Sequence, residues 1–282
     1  MSRTIRNRFL SWLPFMRGGP IVPVVRLSGV IGYVTPLSPG LTLAGVARTL
    51  ERAFAIRRAT AVAVIINSPG GSAVQSHLIH VRIRELADKH KKPVIAFVED
   101  VAASGGYMIA CAADEIIADP SSIVGSIGVV SASFGFDKAI KKLGIERRVH
   151  TAGERKVMLD PFKPEKADDV RHLKALQEEI HAGFIELVKK GRGKRLKGPD
   201  KTLFSGEFWI AGTAQKYGLV DELGDVHSVL RARYGKKVTT PLVAPSQSWF
   251  YRRAPGVLEP GDWAAGALSA IEARAWWARY GL

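Results

Sequence analysis

A serine and a lysine stand in settings where they could do chemistry. Ser104 follows an apolar run and precedes Gly105 and Gly106, so its hydroxyl would lie at the start of a helix, beside small residues that leave space for a substrate carbonyl. The same setting is typical of a serine that caps a helix. A nucleophilic serine needs a base, and lysine can replace histidine where burial lowers its pKa by up to about 3–5 units. Lys156, three residues after Gly153, is the candidate base.

The histidines do not offer an obvious alternative base. None of the seven lies in a glycine-rich turn, and most lie on charged helical stretches, as surface residues do. They are His77, His80, His90, His150, His172, His181 and His227. No Gly-x-Ser-x-Gly motif surrounds Ser104. The sequence therefore predicts no Ser-His-Asp triad.

Two consecutive glycines, Gly70 and Gly71, follow another buried strand and lead into a helix. Backbone N–H groups at such a turn have no helical acceptor and could stabilise an oxyanion. A tight turn that needs positive φ would explain the same pair. The residues alone leave both interpretations open.

Five segments, taken together in order and spacing, resemble the S49 family of serine peptidases, the group of signal peptide peptidase A and SohB. The segments are 67–71, 103–107, 125–129, 153–156 and 214–224. The resemblance covers roughly residues 24–230. It implies an α/β chain with a ClpP/crotonase-like layered fold of repeated ββα/βαβ units, and a peptidase that needs no cofactor and no metal.

The resemblance also implies a role for each site residue. Ser104 would be the nucleophile, Lys156 the general base, and Ser126 the hydroxyl that orients the lysine amine. Gly71, with Gly70, would donate backbone N–H groups to the oxyanion. The implied substrates are extended peptides with small or apolar side chains, such as remnant signal peptides.

Two features bear on how the lysine is used. Glu154 and Arg155 precede Lys156, where the family pattern leads us to expect small and aromatic residues. In short family members the serine and the lysine come from neighbouring subunits of a ring. The resemblance therefore implies a homo-oligomeric ring as part of the active site.

The elements that must position these residues alternate between apolar runs and helical patterns, which predicts βαβ units and a sheet with parallel strands. We expect strands at 21–31, 61–66, 93–98, 115–118 and 123–130, and helices at 41–54, 73–90, 105–113, 134–143 and 164–190. Short loops join these elements. The pattern predicts one layered domain at 21–245, between an N-terminal arm (1–20) and a C-terminal Trp/Ala-rich tail (246–282).

Composition limits the classes of partner and of metal site that the chain could have. The 282 residues carry a formal net charge of +15, which attracts acidic partners in general. The basic run at 189–197 has no interleaved aromatic residues, so we expect a solvated helix end and no nucleic-acid site. The single Cys111 excludes an internal disulfide and a cysteine-rich metal site.

The N-terminal arm, residues 1–20, combines arginines with a short apolar stretch that Pro14 interrupts and Arg17 closes. No window of about 18 apolar residues exists, so we expect no transmembrane helix. A cleaved signal is less favoured than an arm that touches a membrane surface, or one that is solvated or covered by a partner. We expect a cytoplasmic protein, with peripheral contact at the inner face of the cell membrane as one option.

Two other functions compete with a peptidase. A crotonase-like acyl-CoA enzyme shares the fold and the oxyanion glycines, but it needs no Ser/Lys pair. A membrane-associated scaffold could keep the fold without turnover. The presence of Ser104, Ser126 and Lys156 favours the peptidase.

Overall fold

The structure of the chain is a computed structural model. It describes residues 19–32, 40–244, 271 and 274–282. The predicted N-terminal arm thus lies almost entirely outside the described residues, as does the part of the predicted C-terminal tail at 246–270. Within the described part of the chain, no helix is long and apolar enough to cross a membrane.

One sheet organises the described residues. Its strands are β1 (Val24–Ser28), β2 (Val62–Ser68), β3 (Val94–Ala103), β4 (Glu115–Ala118), β5 (Ile123–Gly125), β6 (Phe208–Ile210) and β7 (Glu222–Leu223). Strands β1, β2, β3, β4 and β7 lie side by side in that order and are parallel. Parallel neighbours need long crossover connections, which are usually helical. The predicted α/β sheet is confirmed.

Eight α-helices lie entirely within the described ranges, and further helical residues are at 274–278. The eight are α1 (Leu43–Ala55), α2 (Ala73–His90), α3 (Gly105–Ala110), α4 (Asp137–Lys142), α5 (Ala167–Arg192), α6 (Asp200–Leu203), α7 (Ala211–Lys216) and α8 (Val226–Tyr234). Side-chain caps begin two of the long ones: Thr42 accepts from the Gly45 N–H, and Ser72 from the Gln75 N–H. Helix α2 and strand β4 have the predicted bounds.

Apolar side chains cover both faces of the sheet. Along β2, Val62, Val64 and Ile66 belong to the core cluster under α1, α2, α3 and α5. The alternate residues Ala63 and Ile65 belong to a second cluster, which α8 closes with Val229 and Leu230. Successive strand side chains point to opposite faces. A sheet buried on both faces therefore has strands that are apolar almost throughout.

Four of the five predicted strands differ from their predicted bounds, and the differences at β3 and β5 build the site. Strand β3 continues past Val98 to Ala103 because it changes partner, pairing first with β4 and then, from Val101, with β5. Strand β5 ends at Gly125, well before the predicted end at 130. It ends there because Ser126 has φ +54° and its N–H donates to the Glu207 carbonyl at 2.6 Å.

Between β5 and α5 the chain leaves the sheet. We call residues 131–166 the excursion. The predicted helix at 134–143 is present there as the shorter α4, which has no buried residue. Several large apolar side chains of the excursion are exposed, among them Phe134, Leu143 and Ile145. The excursion thus differs from the rest of the described chain, where such side chains mostly enter the core.

Candidate active site

Ser104 lies at a strained strand-to-helix turn between β3 and α3. Its backbone has φ +52° and ψ −121°, a conformation that costs energy for a residue with a Cβ. The Ser104 N–H donates to the Gly125 carbonyl at 2.8 Å, which fixes the turn to the end of β5. Although Ser104 occupies the N-cap position, its hydroxyl makes no capping hydrogen bond. The turn thus holds the hydroxyl free of the backbone, as a nucleophile requires.

Ser126 lies beside Ser104 because of the register of the sheet. Ala103 pairs with Gly125 in parallel β3 and β5, so the two serines that follow these strands lie at the same end of the sheet. Ser126 is buried and also has positive φ. Within the described ranges, only four non-glycine residues have positive φ, and two of them are these serines. Strain of this kind concentrates at functional sites.

The two glycines of the turn after β2 have different surroundings. The Gly70 N–H donates to the Ser68 hydroxyl at 3.2 Å. A Cβ on Gly70 would lie 2.8 Å from the Ser104 Cβ, and one on Gly71 would lie 2.2 Å from the Ile31 carbonyl oxygen. Among the described residues, the Gly71 N–H has no hydrogen-bond acceptor. Both positions need glycine, and Gly71 offers the unpaired donor.

One cavity of about 310 Å³ contains Ser104, Ser126 and Gly71 in its lining. Its other lining residues include Gly105, the first residue of α3, whose N–H likewise has no acceptor among the described residues. Apolar side chains from three elements form its walls. They are Met108, Val129, Val130, Ile180, Phe184 and Trp276. The structure thus brings together the candidate nucleophile Ser104, a second hydroxyl and two backbone donors in one cavity with partly apolar walls.

A larger cavity, of about 590 Å³, lies elsewhere at the sheet. Two serines line it, and neither has the positive φ of Ser104 and Ser126. The Ser122 Oγ donates to the carbonyl oxygens of Val98 (3.1 Å) and Glu99, and Ser121 is exposed. Chemistry and strain therefore favour the smaller cavity over the larger one.

The support under the Ser104 turn comes from the segment 214–224. The Tyr107 hydroxyl of α3 donates to the Leu219 carbonyl at 2.9 Å. The buried Arg192 donates to both carboxylate oxygens of Asp221 at 2.8 Å, and its Nε donates to the Gly218 carbonyl. This segment therefore fixes the short helix that carries the nucleophile to the end of α5.

Comparison with known proteins identifies the family. Residues 87–239, more than half of the chain, match Peptidase family S49. The chain belongs to peptidase family S49. Together with the parallel α/β sheet, this membership confirms the ClpP/crotonase-like fold.

Similar proteins carry different names. The chain is 39% identical over 191 residues to Protease 4 of Haemophilus influenzae, covering 66% of the chain and 30% of that protein. It is 32% identical over 243 residues to the chloroplastic serine protease SPPA of Arabidopsis thaliana, covering 82% of the chain and 34% of that protein. A Brucella abortus protein named Na(+)/H(+) antiporter NhaA is 58% identical over 272 residues, covering 93% of the chain.

The chain spans only part of these relatives, 37% of the Brucella protein for example. The antiporter name describes the whole Brucella protein. The part that resembles our chain is the part that matches the S49 family here, so the antiporter name assigns no activity to these residues.

Among the residues to which the S49 resemblance assigns a role, Lys156 lies away from the cavity. Its side chain is exposed in a turn of the excursion, and it does not line the cavity that holds Ser104 and Ser126. Within one chain, the structure therefore supplies neither contact with Ser104 nor the burial that a neutral lysine needs.

The histidines were predicted to be mostly surface residues. Four of the seven are exposed, and His80, His90 and His181 are partly buried. Burial lowers the pKa of His80 to about 4, although its Nδ1 lies 2.9 Å from the Met108 carbonyl oxygen. His181 lines the Ser104 cavity, and its Nε2 lies 3.1 Å from the Ile127 carbonyl oxygen, next to Ser126. No pattern in the sequence separated His80 and His181 from the exposed histidines on the same helices.

The only cysteine is not an alternative nucleophile. Burial raises the pKa of Cys111 to about 12, and the thiolate is the reactive form of a cysteine.

Proposed function

We propose that this S49 protein is a serine endopeptidase with a Ser104/Lys156 dyad. The observation that carries the proposal is the strained Ser104 turn, which holds an uncapped hydroxyl in a cavity beside Ser126 and Gly71. Family membership favours peptide hydrolysis over the acyl-CoA chemistry of crotonase-like enzymes.

In this mechanism, the Ser104 Oγ attacks the carbonyl carbon of the scissile bond while its proton passes to the neutral Lys156 amine. The Ser126 hydroxyl orients that amine. The lysine then gives the proton to the leaving nitrogen as the C–N bond breaks. Water, deprotonated in turn by Lys156, hydrolyses the acyl-enzyme and restores the serine.

The oxyanion needs donors that have no other acceptor. The amides of Gly71 and Gly105 meet this condition among the described residues, whereas the Gly70 amide donates to Ser68. We therefore assign the oxyanion hole to Gly71 and Gly105, with Gly70 needed for its close contact with Ser104. Removing one such donor typically costs about 10²–10³ in kcat.

The base comes from a second copy of the chain in this proposal. Lys156 is exposed within one chain, and the excursion that carries it exposes Phe134, Leu143 and Ile145. Exposed apolar side chains concentrated in one segment are of the kind that a partner subunit could cover. In a homo-oligomeric ring, the excursion of one subunit would cover the Ser104 cavity of the next and bury Lys156 there.

The substrates in this proposal are extended peptides with small or apolar side chains, such as remnant signal peptides. The lining of the cavity, with Met108, Ile180 and Phe184, supports the preference for apolar side chains.

The basic and apolar residues 1–20 would bind the enzyme reversibly to an anionic membrane surface, because each cation near such a surface contributes about 1 kcal/mol. Co-sedimentation with anionic liposomes at low salt tests this part, and deleting residues 1–20 should abolish the binding.

Labelling with a fluorophosphonate, followed by mass spectrometry, tests the function. The proposal expects a covalent adduct on Ser104 and cleavage of an apolar peptide library by the same preparation. Ser121→Ala, at an exposed serine outside the cavity, is the matched control and should keep both. A protein that forms no adduct and cleaves no peptide would be a scaffold of the same fold.

A further inference from the structure

The C-terminal segment (residues 274–282) packs directly beside the candidate active site. Tyr280 is buried, and its ring contacts Phe208 edge-on at a centroid distance of 5.0 Å. Trp277 packs against the cluster formed by Val101, Ala103 and Tyr280. Since Val101 and Ala103 belong to the strand that ends at Ser104, the segment is anchored to the same element as the nucleophile.

Two other residues of the segment, Trp276 and Arg279, line the Ser104 cavity. The guanidinium carbon of Arg279 lies 5.7 Å from the centre of the Trp276 ring, within the distance of a cation–π contact. That contact holds a long and otherwise flexible side chain at the cavity.

The charged side chain in the lining of this cavity is positive. Of the described residues that line it, none is acidic, and Arg279 is the only arginine or lysine. Within the described part of the chain, Arg279 forms no ion pair with a carboxylate. Among the described residues, the cavity therefore presents a guanidinium without a carboxylate partner, and a bound molecule could supply one.

We propose that Arg279 gives the Ser104 cavity a preference for peptides that carry a carboxylate near the scissile bond. This inference rests on the proposed function, which makes the cavity the peptide site. A guanidinium matches a carboxylate with two parallel hydrogen bonds. Because Arg279 is itself exposed, the preference should be about fivefold, the scale of one partly exposed ion pair.

The carboxylate has two possible sources, an acidic side chain or the free C-terminus of a short peptide. Two substrate series distinguish them. The first is a set of amidated peptides with a single Glu, each compared with the same peptide carrying Gln, at successive positions around one cleaved bond. The second compares each short neutral peptide as the free acid and as the amide.

Variants of the enzyme test the contribution of the Arg279 guanidinium to this preference. Arg279→Gln should remove the preference for the carboxylate member of each pair, and Arg279→Lys should keep part of it, because the charge remains without the planar fork. Arg274→Gln is the matched control, since Arg274 is exposed on the same segment and does not line the cavity. It should keep the full preference. The preference should also fall between 0.05 and 0.5 M salt, roughly as screening predicts.

A binding experiment separates this inference from the catalytic one. Anisotropy of fluorescently labelled peptides on the Ser104→Ala protein should show the same preference for the carboxylate member, and Arg279→Gln in that background should lose it. If the wild type cleaves neutral peptides but shows no carboxylate preference in either series, the inference is wrong and the proposed function stands. If no peptide is cleaved, the proposed function fails, and equal binding of acid and amide would overturn the inference as well.

Discussion

The turn at Ser104 and the excursion at 131–166 are two halves of one proposed site, and they are built in opposite ways. Ser104 lies at the end of a strand with neighbours on both sides, and its amide is bonded to the adjacent strand. Lys156 lies in a turn of an exposed segment. The first half is built within the described part of one chain, while in the proposed ring the second would acquire its environment from a neighbouring copy.

The difference indicates which interactions stabilise each half of the proposed site. Core packing offsets the energetic cost of the strained backbone at Ser104 and Ser126, because the sheet and the Arg192–Asp221 pair hold the surrounding residues in place. The excursion has no such support and exposes its apolar side chains. Folding therefore prepares the nucleophile, and assembly would prepare the base.

The largest expected effect is at Ser104. Ser104→Ala should lower kcat/KM for peptide hydrolysis by at least about 10³-fold, because no other hydroxyl occupies the strained turn. Steady-state kinetics on an apolar fluorogenic peptide measure the loss. The hydroxyl makes no cap bond, so thermal unfolding should change little. Full activity in the alanine protein would end the assignment of the nucleophile.

Lys156→Arg should be as inactive as Lys156→Ala. Arginine keeps the charge but cannot release its proton in the working pH range, whereas the proposed role needs a neutral amine. The same assay compares the two variants, with Lys163→Arg in the same excursion as the control that keeps activity. Near wild-type turnover in Lys156→Arg would rule out a proton-accepting role at this position.

Ser126→Ala should cost less, about 10- to 100-fold in kcat, because the hydroxyl orients the base and does not touch the substrate. A positioning role also predicts a shift in the pH dependence of kcat, while KM changes little. Measuring both from pH 6 to 10 separates this role from a packing defect. A change in KM alone would contradict the assignment.

The smallest effect concerns the core side of the comparison and tests burial alone. The folded pKa of His80, about 4, lies below the usual 6.5 because of burial. Between those values the unfolded chain binds more protons, so the free energy of unfolding rises with pH in this window and falls on acidification. The loss at pH 5 should be about 2 kcal/mol relative to pH 8.

Urea unfolding at both pH values measures this loss. His80→Gln should show a smaller difference between the two pH values than the wild type. Equal differences in both proteins would show that His80 is not the group responsible.

The residue pattern indicated strand ends before Gly70 and before Ser104, where apolar runs end in serine and glycine. It did not indicate the strand end before Ser126, which lay inside the predicted strand 123–130. The grouping of Ser104, Ser126 and Gly71 came from the S49 resemblance. What the pattern could not give was the register of β3 against β5, or that the Gly70 amide is already bonded to Ser68.

The excursion was less predictable from the sequence, since its apolar residues resemble those of the core. Phe134 and Leu143 fit a helix that would pack inward, yet the segment 137–142 is a short helix with no buried residue. Periodicity shows which face of a helix is apolar, but it does not show whether the partner of that face belongs to the same chain. Arg279 and His181 were missed for a related reason, because only the folded chain brings them to the Ser104 cavity.

Mixing two inactive variants tests the divided site most directly. Ser104→Ala and Lys156→Ala subunits, carrying different tags, are co-expressed and purified through both tags so that only mixed assemblies are assayed. If each site takes its serine and its lysine from neighbouring copies, random mixing of equal amounts should restore roughly a quarter of wild-type activity. Each variant alone, and the wild type mixed with the double variant, calibrate the assay. Mixed assemblies no more active than the single variants would contradict the account, because both residues would then have to act within one chain.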